Sequence, residues 1–458
     1  MVGKKRRTAR RQGRSVSDKG QQGASFRLQE IIRANARSSS GGTYAVCSAH
    51  PAVIEAAIQQ SVADGSLLHV ESTSSQVNQF GGYTGSTPVE FAQWIRSAAK
   101  AAGLPAERVL LGGDHLGPFP WRREASSVAL EKACKLVRDC VLAGYQKIHL
   151  DASMACADDP KTGLSEETVA ARAAILCRAA EQAHTELQSG SPAPLYVVGT
   201  EVPAPGGEST EAGAPAVTQA RDVHRTLKAF QVAFADLELE SAWERVIALV
   251  VQPGVDFGAN SIFAYDRRKA KSLSAALAPH PGIVFEAHST DYQSREGLTQ
   301  LVEDHFAILK VGPWLTFAFR EAVLSLSAVE QELFGNSRAR KVSRVREALE
   351  SAMLRDPSQW RGYYHGNEEE LRRDRIFAFS DRCRYYWNQP EVREETERLI
   401  ANLKGTPLPL TLVSQYMPQH YEGVRAGELE GEPHAMIQAH IRRVLRVYAD
   451  ACSVARPY

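Results

Sequence analysis

Charged side chains stand within or directly after short apolar runs at several points of the chain. The run VFEAH carries Glu286 and His288, HLD carries His149 and Asp151, and ILKV carries Lys310. Burying such groups costs several kcal/mol unless they are paired or bind a metal, so their recurrence predicts a ligand site. Carboxylates and a lysine there could move protons during catalysis. The predicted catalytic residues are Glu71, Asp151, Glu201, Glu286 and Lys310.

A second set of residues at the same positions could hold a divalent metal. It combines carboxylates with imidazoles and consists of Asp114, His115, Glu201 and His288. Such a mixture suits Zn, Mn, Co or Ni, whereas carboxylates alone suit Mg. The chain has no HExxH or other compact ligand motif, so a hydrogen-bonded polar network without an ion remains an alternative. Asp114 and His115 are adjacent, so only one can point inward unless the strand ends between them.

Lys310 has three candidate uses. A desolvated lysine can form a Schiff base, pair with a carboxylate or bind a phosphate. Ser289, Gly312 and the helix expected from residue 314 offer backbone N–H groups to an anion. Further polar groups at the same run ends predict contacts with a substrate. The predicted substrate-binding residues are His50, Gln76, Asn78, Gln252, Ser289 and Gly312.

The apolar runs that carry these residues repeat along the chain with helix-compatible segments between them. Most runs are apolar at consecutive positions, which is typical of parallel strands buried on both faces. Eight such units predict an α/β fold, a (β/α)8 TIM barrel over residues 26–335. A doubly wound sheet is the competitor, but it usually has fewer strands and its GxGxxG fingerprint is absent. The predicted strands are 43–49, 67–73, 108–114, 147–153, 196–202, 248–254, 283–289 and 306–312.

Three segments fall outside this repeat. Residues 1–25 are rich in basic residues and poor in apolar ones, which predicts a disordered tail. Residues 336–458 show helical patterns and predict a helical extension packed on the barrel. The Pro- and Gly-rich stretch 203–216 after the fifth strand is either a lid over the site or a tolerated insertion.

Composition excludes several classes of protein. The formal charge of the 458 residues is +1, and the body without the first 14 residues has 47 basic and 53 acidic residues, which argues against nucleic acid as the main partner. The sequence contains no run of about 18 apolar residues, so we expect no membrane-spanning helix. Seven cysteines without a CxxC pair are typical of reduced thiols, so a cytoplasmic location is expected. The absence of GxxxxGK[ST] argues against a P-loop kinase, and no nucleotide cofactor is expected.

Several segments together resemble the non-catalytic subunit family of class II D-tagatose-1,6-bisphosphate aldolase, the GatZ/KbaZ group. The resemblance covers about residues 27–452 and implies a barrel fold. It also implies a cytoplasmic part in the breakdown of galactitol, tagatose or N-acetylgalactosamine, by stabilising and activating a separate catalytic aldolase. Segments that carry it include VCSAHPAVIEAA, ESTSSQVNQFGGYTG, LGGDHLGP, KIHLDASMACADDP, GTEVPAPGGE, VFEAHSTDYQ, FSDRCRYYW and SQYMPQHY.

The resemblance and the residues leave the catalytic status of the chain open. The main hypothesis is an activating aldolase subunit that binds a sugar phosphate. The alternative is a metal-dependent C4 epimerase of ketohexoses or their phosphates, in which retro-aldol cleavage and re-addition invert C4 while Glu201 or Glu286 moves the proton. A scaffold with a vestigial site is a third hypothesis. Some family members carry an older label of tagatose-6-phosphate kinase. The oligomeric state stays open.

Overall fold

The computed structural model describes residues 23–199 and 215–452. Eight parallel strands close into a barrel in the order β1-β10-β9-β6-β5-β4-β3-β2. Each predicted apolar run contributes one of these strands, which confirms the (β/α)8 class. The barrel strands are β1 (Thr43–Val46), β2 (Leu68–Thr73), β3 (Val109–Leu116), β4 (Lys147–Leu150), β5 (Leu195–Gly199), β6 (Val246–Val250), β9 (Val284–Ala287) and β10 (Ile308–Val311).

A short antiparallel pair that the sequence pattern did not predict follows β6. Its strands are β7 (Asp256–Phe257) and β8 (Ile262–Phe263). Helices surround the barrel and form the region after it. They are α1 (Ala24–Ser38), α2 (Pro51–Asp64), α3 (Pro88–Ala101), α4 (Ser126–Leu142), α5 (Glu166–Thr185), α6 (Ala220–Ala235), α7 (Glu240–Trp243), α8 (Arg267–Ser274), α9 (Arg295–Glu303), α10 (Pro313–Phe334), α11 (Val345–Arg355), α12 (Glu368–Phe377), α13 (Pro390–Leu403), α14 (Leu410–Tyr416), α15 (Tyr421–Arg425) and α16 (Pro433–Ala451).

Helix α1 closes the N-terminal end of the barrel. Its buried Leu28 and Ile32 belong to one apolar cluster with inward residues of the barrel strands, among them Leu110 and Val197. Buried Asn35 completes this seal by donating hydrogen bonds to the carbonyls of Gly41 and Val302, both 2.8 Å away. Because apolar groups fill this end, the polar groups farther along each strand lie toward the C-terminal end, where barrel enzymes bind their ligands.

The C-terminal helical extension folds back onto the barrel. Its last helix, α16, packs against α2, α9 and α10. Tyr448 of α16 donates a hydrogen bond of 2.8 Å to the carbonyl of Thr290, directly after β9. Buried Asp381 accepts a 2.9 Å hydrogen bond from Arg320 of α10. The extension therefore contacts the strand ends at the C-terminal mouth of the barrel.

Two predicted segments lie wholly or mostly outside the described residues. Of the predicted tail, only residues 23–25 are described, and α1 already begins at Ala24. Of the stretch 203–216, only Pro215 and Ala216 are described. In the described part of the chain, all seven cysteines are free thiols. No helix there is long and apolar enough to cross a membrane.

Candidate functional site

Two lysines and two glutamates form a buried ionic layer inside the barrel. Lys147 of β4 lies 2.6 Å from both Glu71 of β2 and Glu286 of β9. Lys310 of β10 also contacts Glu71, and its Nζ lies 3.5 Å from Glu286. All four residues are at least 95% buried. The layer therefore links four strands across the barrel interior by ion pairs.

The pairing keeps both carboxyl groups ionised. Burial opposes ionisation of Glu71 and Glu286, but the ammonium groups of Lys147 and Lys310 outweigh it and lower both pKa values. Burial likewise opposes the charge on Lys310, yet Asp114 and the other nearby acids raise its pKa. A lysine held as an ammonium ion is not a nucleophile, so the geometry favours the ion-pair use of Lys310 over a Schiff base.

An imidazole cluster lies next to this ionic layer. His115 Nε2 is 2.9 Å from His288 Nδ1, and His149 Nδ1 is 3.3 Å from Asp114 Oδ1. One donor atom from each of these four residues lies within 4.8 Å of the other three, so together they could hold a metal ion. Lys310 Nζ is 2.8 Å from Asp114 and connects the cluster to the ionic layer.

Each imidazole of the cluster uses its second nitrogen for another partner. His115 Nδ1 is 2.7 Å from Asp151, and His288 Nε2 is 3.0 Å from Glu286. His149 Nε2 is 3.0 Å from the carbonyl of Gly199. Metal-binding histidines in proteins almost always donate their free ring N–H to a carboxylate or carbonyl in this way, which fixes the ring and its tautomer. The cluster therefore has both the donor atoms and the outer support of a metal centre.

The same contacts determine how the imidazoles are protonated. Burial disfavours a charge on His115, but Asp114 and Asp151 outweigh it and raise its pKa to about 9. Burial lowers the pKa of His288 to about 4, so its ring is neutral at pH 7. A protonated His115 can therefore donate from Nε2 to Nδ1 of the neutral His288 ring, 2.9 Å away.

A backbone irregularity lets two adjacent residues face the same cluster. The pairing of β3 with β4 shifts register between Gly113 and Leu116, and His115 has a left-handed φ of 47°. Strict alternation allows both Asp114 and His115 to point inward only if the strand ends between them. The strand instead continues to Leu116. Both side chains point into the cluster because the bulge restores the inward direction one residue early.

Gly117 keeps this irregularity close to β4. A Cβ atom at Gly117 would lie 1.6 Å from the carbonyl oxygen of Asp151, a contact with backbone that cannot move aside cheaply. We expect Gly117→Ala to lower the free energy of unfolding by about 2 kcal/mol, as overpacking does elsewhere. Urea unfolding monitored by circular dichroism measures the change. Gly362→Ala is the matched control because its Cβ meets nothing within 4 Å, and an equal effect in both variants would contradict the expectation.

Five of the six predicted substrate-binding residues fall into two groups. His50, Gln76 and Gly312 line a pocket at the mouth. Asn78 and Gln252 instead use their side-chain oxygens in nearby loops. Asn78 Oδ1 accepts from the N–H groups of residues 80 and 82, and Gln252 Oε1 accepts from that of residue 254.

The N-terminus of α10 already binds a carboxylate of the protein, that of Asp291. The N–H groups of Gly312 and Trp314 donate to Asp291 Oδ1 over 3.0 and 2.8 Å. Ser289, three residues after Glu286, has a left-handed φ of 52° where the chain leaves β9. The helix terminus at which the sequence predicted a phosphate is therefore satisfied by a carboxylate of the chain itself.

The structure brings most predicted catalytic and metal residues into one site. Glu71, Asp151, Glu286 and Lys310 meet there with Asp114, His115 and His288, whereas Glu201 lies outside the described residues. Two members were not assigned to the site from sequence: Lys147 and His69, whose Nε2 is 2.6 Å from Glu71. His149 was placed on the same face as Asp151 from sequence but was given no role. A signal for them exists, because residues 69 and 71, and 147, 149 and 151, share a strand face.

Fold and site together define a (β/α)8 barrel protein with a buried, metal-compatible polar centre at its mouth. A family model described as D-tagatose-1,6-bisphosphate aldolase subunit GatZ/KbaZ-like matches residues 28–453. The chain belongs to this family, which confirms the resemblance read from its segments.

Individual relatives match along nearly their whole length. Proteins of Klebsiella pneumoniae subsp. pneumoniae and Salmonella agona, both named D-tagatose-1,6-bisphosphate aldolase subunit GatZ, are 48% and 47% identical to the chain. Each alignment covers 93% of this chain and 99% of the relative. A solved structure from Sinorhizobium meliloti 1021, described as a probable tagatose 6 phosphate kinase, is 41% identical with a TM-score of 0.82 and covers 90% of this chain and 100% of its own.

Proposed function

We propose that this protein is a subunit of a cytoplasmic D-tagatose-1,6-bisphosphate aldolase and acts with a separate catalytic subunit on a sugar phosphate. The observation that carries the proposal is the match of about 48% identity over 93% of the chain to proteins named as that subunit. The alignment covers 99% of the relative's own length, so the likeness is not confined to one part of that protein. The closed barrel with polar residues at the C-terminal ends of its strands is compatible with this activity.

We further propose that the imidazole cluster binds a divalent metal, with Asp114, His115, His149 and His288 as ligands. Three imidazole nitrogens and one carboxylate oxygen suit Zn, Mn, Co or Ni. A divalent ion there would supply Lewis acidity toward a carbonyl or hydroxyl oxygen of the sugar. Glu201 stays a candidate ligand from the sequence.

The charges of the buried site support a divalent cation. Its described acids are Glu71, Asp114, Asp151 and Glu286, and the pKa of each is lowered from its ordinary value by neighbouring cations and hydrogen bonds that outweigh burial. Among the described residues, two lysines and the protonated His115 face these four carboxylates, which leaves one negative charge. When His115 loses its proton to bind a metal, two negative charges remain. Because uncompensated buried charge is costly, a doubly charged ion would complete the site.

Reconstitution with the catalytic aldolase subunit of the same organism tests the proposed function. We expect this protein to raise both the aldolase activity and the thermal midpoint of the catalytic subunit, and to show no aldol cleavage alone. Stoichiometric co-elution on size exclusion should accompany the gain. Bovine serum albumin at equal concentration is the control for nonspecific stabilisation. A catalytic subunit whose activity and stability are both unchanged by this protein would contradict the proposal.

The complete polar site also supports the alternative, a metal-dependent ketohexose or ketohexose-phosphate C4 epimerase. Within the described residues, a scaffold alone has no need of Lys310, Glu286 and three imidazoles in one buried group. The discriminating assay incubates metal-loaded protein alone with fructose 6-phosphate and looks for tagatose 6-phosphate by NMR. Adding ATP to the same sample and measuring its consumption addresses the kinase label. Turnover in either assay without the catalytic subunit would show that this protein is itself an enzyme and would contradict a purely accessory role.

A further inference from the structure

A pocket at the barrel mouth combines residues of the strand ends with a residue of the C-terminal extension. Cys47, His50, Gln76 and Gly312 are among the residues that line it. Arg384 reaches it from the extension, more than 60 residues beyond the start of α10. Cys47 Sγ lies within 4.8 Å of carboxylate oxygens of Glu71 and Asp114, so the pocket reaches the buried site.

Within the described part of the chain, Arg384 forms no direct ion pair, and the charges of Asp381 and Asp291 act on it from a greater distance. Its guanidinium donates to the carbonyls of Ser380 and Asp381, at 2.5 and 3.2 Å, and to the hydroxyl of Tyr385, at 2.8 Å. Among the described residues, no carboxylate lies within 4.0 Å of it, whereas buried Arg320 pairs with Asp381 at 2.9 Å. Because a desolvated cation is costly when unpaired, the guanidinium is prepared for an anion from outside the chain.

Two neighbours of Arg384 have unused hydrogen-bonding capacity. Buried His50 Nδ1 has no hydrogen-bond partner within residues 23–199 and 215–452, and its ring lies against Phe319 with the centroids 4.1 Å apart. Gln76 accepts from the N–H of Thr73 at 2.9 Å through Oε1, while its amide group also interacts with the Tyr83 hydroxyl and its Nε2 has a weak contact of 3.4 Å to the carbonyl of Cys47. Both can donate to an oxyanion that Arg384 binds, since a neutral imidazole and an amide each carry an N–H.

The competing anion position near the same mouth is filled. Asp291 accepts the first N–H groups of α10, so a phosphate would have to displace a buried carboxylate there. The pocket beside Arg384 has no such internal anion among the described residues. The charge of Arg384, together with a described pocket lining that contains no carboxylate, therefore favours Arg384 over the start of α10 as the phosphate position.

We propose that this pocket is a phosphate subsite, in which the phosphoryl group of a phosphorylated sugar binds to Arg384, Gln76 and His50. The carbon chain of the sugar then extends past Cys47 toward the imidazole cluster. The subsite rests on the proposed function for the identity of its ligand as a sugar phosphate. Through Arg384, this subsite makes the C-terminal extension part of the binding site. Inorganic phosphate has the same charged oxygens as the phosphoryl group of the sugar, so it should bind there too.

Isothermal titration calorimetry on the full-length protein tests the subsite. The titrants are inorganic phosphate, fructose 6-phosphate and unphosphorylated fructose. We expect both phosphates to bind, fructose to bind at least 10-fold more weakly than its phosphate, and Arg384→Met to weaken both phosphates at least 10-fold. Arg122→Met is the matched control, because this exposed arginine follows β3 at the same mouth and should change binding less than twofold.

A second variant covers the case in which Arg384→Met does not fold. Gln76→Glu keeps the acceptor for the Thr73 N–H but places a negative charge in the pocket, so it should also weaken phosphate at least 10-fold. Unchanged phosphate binding in a folded Arg384→Met or Gln76→Glu variant would overturn the subsite. Phosphate binding that depends on Arg384, with no effect of the protein on the aldolase, would support the subsite and contradict only the proposed function. Free phosphate binding without fructose 6-phosphate binding would overturn the sugar-phosphate assignment.

Discussion

Replacing Lys147 by methionine is expected to destabilise the protein by about 3–5 kcal/mol, the range seen when one partner of a buried ion pair is removed. The Lys147 ammonium lies 2.6 Å from Glu71 and 2.6 Å from Glu286, and all three side chains are fully buried. Methionine keeps the length of the side chain but leaves two carboxylates with only Lys310 as a cation. The loss is measured as the free energy of unfolding in urea.

Two further variants separate the buried charge from general packing. Lys135→Met removes a lysine that is exposed and pairs with Asp139 on one helix, and it should cost less than about 0.5 kcal/mol. The triple variant Lys147→Met, Glu71→Leu, Glu286→Leu also removes the two acids that paired with Lys147 and leaves Lys310 paired with Asp114, so it should recover much of the lost stability. A loss below 1 kcal/mol in the single variant would show that the ionic layer does not hold the barrel together.

Removing one imidazole from the cluster is expected to weaken zinc or cobalt binding more than 100-fold. His288→Ala takes away one of four donor atoms that lie within 4.8 Å of one another. Asp151→Asn keeps every ligand but changes the partner of His115 Nδ1, 2.7 Å away, and should cost 10- to 100-fold, the usual effect of an outer partner. Competition titration with a chromogenic chelator measures both affinities.

The control for the metal prediction is an imidazole outside the cluster. His434 is exposed on α16 and lies 2.8 Å from Glu55, so His434→Ala should leave metal affinity unchanged. Equal binding by His288→Ala and the unchanged protein would favour the alternative left open by the sequence, a hydrogen-bonded network without an ion. If His288→Ala binds the metal more weakly than Asp151→Asn does, then His288 is a direct ligand and Asp151 acts through its hydrogen bond to the ligand His115.

The sequence by itself determined the barrel and the strand faces that carry the site. Parallel strands buried on both faces must be apolar over several positions, so eight such runs were recognisable one at a time. Alternation along a strand is equally local, and it placed Glu286 with His288 and His149 with Asp151 before any contact was known. Glu71, Asp114 and Lys310 were recognisable too, because a charge inside an apolar run is expensive and needs a partner.

Only the tertiary structure decided which charges meet. The pairing of Lys147 with Glu71 joins residues 76 positions apart, and no local pattern contains that contact. The bulge in β3 overrides the alternation that would have turned Asp114 and His115 to opposite sides. Asp291 satisfies the start of α10, and Arg384 reaches the mouth pocket from the extension. Periodicity fixes the direction of a side chain from its neighbours in sequence, whereas its partner depends on the closure of the barrel and the return of the extension.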